Sequence, residues 1–356
     1  MNAHFWKANW PESRQHYLDW WDRKGLVITM WEHLAKDGPP HAAVLAPPPA
    51  RDWTQYWFDP EWRADHLHYK LAHSSFKADI LPVASTHLGP GSLAAILGAA
   101  LEGREDTIWI HPRPDGDTAI VLDESNRWYR LHLDLVQACK ARAQGRYFVG
   151  CPDLIEGLDT LAGLRGTQAV LLDTVDRPDE LEAELQAVND IWFIVFDRIY
   201  DVIHEEGEMA FCYFSIWGPG KVAKLQSDIS IMMSPRSFRQ FVQPYIRQQC
   251  QWLDYSLYHL DGVGAIRHLD ALLEIDELDA IQWTPGVGQP QGGDPCWYDL
   301  YKRILAGGKS IMPAWVEVDE LQPLLDAVGP AGVNILMHFE REHDIDRALT
   351  IADRYR

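Results

Sequence analysis

The chain has 356 residues, 47% hydrophobic and 24% charged, a balance that supports a large buried core and argues against disorder. Its formal charge of −20, from 52 acidic and 32 basic side chains, would repel a phosphate backbone, and no Lys/Arg-rich run offsets it, so nucleic acid is excluded as a natural partner. No stretch approaches the roughly 20 apolar residues of a membrane span, and the opening MNAHFWKANWPESRQ lacks an apolar core behind a basic start, so the expected location is cytoplasmic.

Eight of the 16 tryptophans fall in the first 62 residues. The spacing of Tyr17, Trp20 and Trp21 predicts a helix with a broad aromatic face. Such a face most often packs on a core, and a stacking surface for a ring-shaped ligand is the alternative. Residues 1–75 are therefore expected to form a helical, Trp-rich segment packed on a barrel spanning 76–356, the whole being one structural domain. The proline-rich stretch 39–53 reads as an ordered surface loop.

Short apolar runs then alternate with longer amphipathic stretches. Strands are expected at 79–85, 147–153, 169–175, 210–217, 256–262, 280–286, 310–316 and 333–339, with LVITMW at 26–31 as a further candidate. Between them lie helical patterns such as 178–207. This alternation implies βαβ units and a parallel sheet, and eight runs are the number a closed (β/α)8 barrel, the TIM barrel, needs. A doubly wound open sheet is the rival, but no Gly-x-Gly-x-x-Gly follows an early strand. Cys139, Cys151, Cys212, Cys250 and Cys296 are odd in number and contain no CxxC pair, so a disulfide framework is not indicated. Cys151 and Cys212 read as small buried hydrophobes.

In a parallel barrel every strand C-terminus opens on one face, where Asp153, Asp173, Trp217, His259 with Asp261, Gln282 with Trp283, and His338 with Glu340 would converge. His259 and Asp261 project from the same side of a strand, an imidazole and a carboxylate suited to a divalent metal or a proton relay. The spacing alone is unspecific in a chain with 15 histidines. His338 and Glu340 repeat it, and either would complete three ligands with an open position, the pattern of a catalytic zinc site. The structural alternative is that His338 caps a strand and Glu340 is solvated. Gln226 and Asp228, ahead of the helix start at Ser234-Pro235, would orient substrate or satisfy local backbone donors. Gln282 would bind substrate, and Trp217 and Trp283 would wall the pocket.

Over 78–98, 150–173, 232–246 (MMSPRSFRQFVQPYI) and 258–286 (YHLDGVGAIRHLDALLEIDELDAIQWTPG), the chain resembles the uroporphyrinogen decarboxylase-like superfamily, which includes cobalamin-dependent methyltransferases. The resemblance implies a (β/α)8 barrel with its active site in a cleft at the strand C-termini. Where the heme-pathway decarboxylases carry an arginine-rich loop and a Phe-Ser-Asp, this chain has KGLVITMWEHLAK (24–36) and KADILPVAST (77–86). The methyltransferases bind zinc through His-x-Cys and a later Cys; His259 matches the first position, Asp261 replaces the first cysteine, and His338 or Glu340 lies near the second. Such an oxygen-rich site favours zinc, manganese or iron and an oxygen substrate.

The expected function is a metal-dependent methyltransferase-like or lyase-type enzyme acting on a small oxygenated substrate. For methyl transfer the donor would be a methyl-corrinoid on a separate protein, because the chain has no Asp-x-His-x-x-Gly motif. A metal-free decarboxylase using Asp153 or Asp228 to stabilise a protonated intermediate is one alternative. A non-catalytic assembly barrel is the other, its tryptophans forming a subunit interface; the resemblance also implies homodimerisation.

Overall fold

The alternating pattern folds as parallel strands joined by helices in the computed structural model, which describes residues 5–114 and 119–356. The strands are β1 (Leu26–Thr29), β2 (Val83–Ala84), β3 (Ala100–Gly103), β4 (Ile108–His111), β5 (Phe148–Cys151), β6 (Glu208–Phe211), β7 (Ile216–Pro219), β8 (Val222–Leu225), β9 (Tyr255–Asp261), β10 (Ala280–Thr284), β11 (Ser310–Val316) and β12 (Val333–Met337). Six of them form an all-parallel sheet in the order β1-β12-β11-β10-β9-β8. A second sheet runs β2-β5-β6-β7, with β7 antiparallel to β6, and β3 and β4 form a separate antiparallel hairpin. The hydrogen-bonded sheet is not closed. No helix of the described residues is long and apolar enough to cross a membrane.

Two strand expectations are corrected, and the further candidate at 26–31 forms a strand. Residues 169–175 are not a strand but part of the helix Thr167–Asp176, where Val170 is buried while Leu172 and Val175 are 54% and 78% exposed. The apolar run there reports composition rather than a two-sided buried strand. LVIT is a strand, β1, which pairs in register with β12, so the N-terminal segment contains a strand of the main sheet as well as helices. The single strand expected at 210–217 is broken: Phe214 and Ser215 take left-handed φ values of 61° and 50°, and the chain reverses from β6 into β7.

The aromatic helix Trp10–Trp21 forms as its spacing predicts, with Pro11 in its first turn and Tyr17, Trp20 and Trp21 buried. Ser310 Oγ at the start of β11 donates to Trp20 O at 2.6 Å, and Trp21 Nε1 donates to Trp217 O at 2.9 Å, so the helix packs at the N-terminal ends of the strands. Asp79 ties both chain ends to this region. Its buried carboxylate accepts from Ile28 N (2.9 Å), Ser13 Oγ (2.9 Å) and Arg356 (2.6 Å), and meets His16 Nδ1 at 2.8 Å. Burial opposes its ionisation, but the hydrogen bond from His16 and the nearby Arg356 guanidinium outweigh it and hold the carboxyl below its usual range.

Candidate metal and substrate site

Strand alternation and parallel register decide which side chains meet. In β9, Leu257, His259 and Asp261 share one face; their partners in β10 are Ala280, Gln282 and Thr284, and Lys224 of β8 pairs with Leu257. Lys224, His259, Asp261, Gln282 and Thr284 therefore line one surface, while Leu260 and Trp283 project from the other.

Gln282 Nε2 donates to Thr284 Oγ1 at 2.9 Å, which turns Gln282 Oε1 toward His259 Nδ1, and the two are hydrogen-bonded. The bond places the ring proton on Nδ1 and leaves the Nε2 lone pair free. Burial, reinforced by Lys224, pushes the His259 pKa down to about 4, so the imidazole is neutral at physiological pH. One ligand atom each from Asp228, His259 and Asp261 lies within 4.8 Å of the others.

The segment Lys224-Leu225-Gln226-Ser227-Asp228 links this trio to a buried acidic network. Lys224 Nζ lies 2.5 Å from Asp153 Oδ2, 4.7 Å from the Tyr213 ring centre, and also donates to Gln226 Oε1. Gln226 Nε2 donates to Asp228 Oδ2 at 2.9 Å, and Gln226 N donates to Glu156 Oε1 at 2.7 Å. The Asp159 carboxylate accepts from Asp228 N (2.7 Å) and Ile229 N (2.9 Å), which fixes the turn carrying Asp228. Asp228 touches solvent yet sits in a crowded cleft wall; burial and then the Asp159 charge push its carboxyl up to about 7. Burial raises Asp159 and Asp261 as well, and lifts Glu156 to about 8 against the pull of Lys224.

Four carboxyl groups, Asp153, Glu156, Asp159 and Asp228, thus share one buried lysine. They cannot all ionise without a further positive charge. Glu156 answers by holding a proton, which sets a sign for stability. Its ordinary value is 4.5 and its folded value about 8, so its contribution is fully present at low pH and is lost as pH rises toward about 8. Glu156→Gln is expected to flatten the decline of Tm between about pH 5 and about pH 8, read by calorimetry; a parent-like slope would show that Glu156 is ionised in the fold.

Two clefts flank the trio. One, of about 420 Å³, is lined by Asp159, Gln226, Asp228, Ile110, Ile229 and Met232 among others. The second, of about 580 Å³, is lined by Asp261, Thr284, Gln291, Trp315, Glu317 and His338 with Gly286 and Val287.

The structure brings together Asp153, Gln226, Asp228, His259, Asp261 and Gln282. Among the described residues the metal-ligand cluster contains neither His338 nor Glu340, and β10 and β11 lie between β9 and β12. His338 Nδ1 instead meets Glu317 Oε1 at 2.8 Å, and Glu340 is exposed. Asp228 is the third member of the cluster. Trp217 does not wall a pocket: it is fully buried against Trp10 and Tyr17, with ring centres 5.1 and 6.2 Å apart. Trp283 packs outward on Trp297 at 5.1 Å. Asp173 lies on a helix, paired with Arg177. Lys224, Glu156 and Asp159 were missed. Their signals were present: Lys224, Gln226 and Asp228 alternate at strand spacing, and Asp153, Glu156 and Asp159 recur every third residue. Searched against known protein families and curated proteins, the chain matches none.

Proposed function

We propose that this chain is a metal-dependent enzyme of the uroporphyrinogen decarboxylase-like superfamily, methyltransferase-like or lyase-type, acting on a small oxygenated substrate at the C-terminal ends of a (β/α)8 barrel. The observation that carries the reading is a neutral, pre-oriented imidazole with two carboxylates inside 4.8 Å, set in a buried excess of acid. That excess disfavours an anionic substrate and is matched by a cation. Barrel closure is supported at both open edges. Asp79 N donates to Ile28 O at 2.9 Å, and Val222 N approaches Met209 Sδ at 3.4 Å, linking β1 to the segment before β2 and β6 to β8.

The donor set fits a divalent metal: His259 Nε2, Asp228 and Asp261 would hold zinc, manganese or iron(II) and leave positions open toward both clefts. A bound cation would act as a Lewis acid toward a substrate oxygen. Gln282 fixes the His259 ring, while Gln226 and Asp159 fix Asp228. Lys224 neutralises Asp153, which leaves that carboxylate no free charge for a protonated substrate, against its role in a metal-free decarboxylase. Asp228 supports the metal-free reading differently, since a carboxyl poised near 7 can deliver a proton to a substrate carbanion.

Elemental analysis of protein purified without chelator, followed by zinc and manganese titration, separates the two readings. One ion per chain in the parent, lost in Asp261→Asn, is the expected result. Parent protein that takes up no ion after reconstitution favours the decarboxylase.

A further inference from the structure

The second cleft has a composition of its own. Its volume of about 580 Å³ falls in the range of small-molecule sites, roughly 300–1,000 Å³. Among the described residues its polar lining consists of Asp261, Glu317, Gln291, Thr284 and His338, with no lysine or arginine. Asp261 and Glu317 disfavour an anion even with His338 Nδ1 2.8 Å from Glu317 Oε1, whereas carboxylate, amide and hydroxyl oxygens from several directions accept hydrogens from a ligand rich in hydroxyls. The apolar surface comes from Trp315 and Val287.

Trp315 is built into this position. A bulge interrupts the pairing of β11 with β12 between Ala314 and Val316, and Trp315 adopts a left-handed φ of 59°, a strained conformation for a bulky residue. The bulge is clamped from outside: Gly292 N donates to Ala314 O at 3.0 Å, and Tyr301 Oη donates to Gly292 O at 2.6 Å. Only glycine allows this approach, because a Cβ at residue 292 would lie 2.3 Å from Ala314 O. Aromatic rings continue inward from Trp315 to Trp31 (6.0 Å), from Trp31 to Phe214 (5.2 Å) and from Phe214 to His259 (5.4 Å). Asp261 belongs to both the cleft and the Asp228-His259-Asp261 trio.

We propose that this cleft is a binding subsite for a neutral cyclic polyol, a monosaccharide or cyclitol ring whose apolar face stacks on Trp315 and whose hydroxyls donate to Asp261, Glu317, Gln291 and Thr284. Acceptors spread around the cleft favour a ring with hydroxyls along several edges over a phenol with donors on one. The polyol is the oxygenated substrate of the reading above, on which this inference rests, and its hydroxyl at Asp261 is the one presented to the trio.

The test is calorimetric titration of the full chain with myo-inositol, methyl glucoside, glucuronate and catechol, alongside zinc alone. Saturable binding of a neutral polyol is expected, at least tenfold tighter than glucuronate and tighter than catechol. Trp315→Ala should weaken it at least tenfold; Gln291→Ala, on an exposed loop, should weaken it severalfold in a protein that folds as the parent does. The proposal is overturned by the absence of saturable polyol binding, by equal binding of glucuronate, by catechol binding more tightly, or by indifference to both substitutions. Polyol binding by a protein that takes no zinc would overturn the metal reading and leave the subsite standing; zinc binding without polyol binding would do the reverse.

Discussion

Lys224→Met is expected to destabilise the protein by about 3–5 kcal/mol, because removing one member of a buried ion pair leaves the other charged and unsolvated. The lysine side chain is fully buried, as is Asp153, 2.5 Å away. Methionine fills much of the same volume, so the loss reports charge rather than packing. Pairing it with Asp153→Asn should recover most of the stability in a double-mutant cycle read by thermal unfolding. The single change should also alter the site: Lys224 holds down the His259 and Asp228 pKa values, so without it both groups keep their protons to higher pH. Parent-like stability of Lys224→Met would mean that Asp153 carries a proton and that the pair is a neutral hydrogen bond.

The same lysine shows what the sequence made legible. The alternation of strands and helices and the pairing of His259 with Asp261 on one face follow from periodicity, since a strand repeats every two residues whatever surrounds it. Strand neighbours do not follow from local pattern. His338 was placed beside His259 because both end strands, but β10 and β11 lie between β9 and β12, and no local pattern encodes that order. The run at 169–175 misled because helical and strand hydrophobicity are indistinguishable over seven apolar-rich residues. Trp217 misled for a related reason: the left-handed turn at Phe214 and Ser215 reverses the chain and carries the indole away from the C-terminal rim into the Trp10 and Tyr17 packing. Lys224 was passed over because a lysine between apolar residues reads as a solvated charge until its partner, 71 positions earlier in sequence, is brought against it.

His259→Ala is expected to reduce zinc affinity by roughly a hundredfold or more, since it removes the only nitrogen from the Asp228-His259-Asp261 donor set. Gln282→Ala should cost about 10–100-fold while leaving all three ligands in place, because it frees the ring and the tautomer that the Gln282 hydrogen bond fixes. Gln282→Glu should keep the affinity, because its carboxylate accepts the Nδ1 hydrogen bond as the amide oxygen does. The pH profile supplies an independent sign. A cation competes with the proton on Asp228, whose pKa in the metal-free protein is about 7. Affinity should therefore rise about tenfold per pH unit up to roughly pH 7 and level above it, with at least one proton released on binding at pH 6. His259, with a pKa near 4, adds no competition in that window. A flat profile between about pH 5 and about pH 7 would place the ion away from Asp228 and leave His259 and Asp261 as two ligands of a different site.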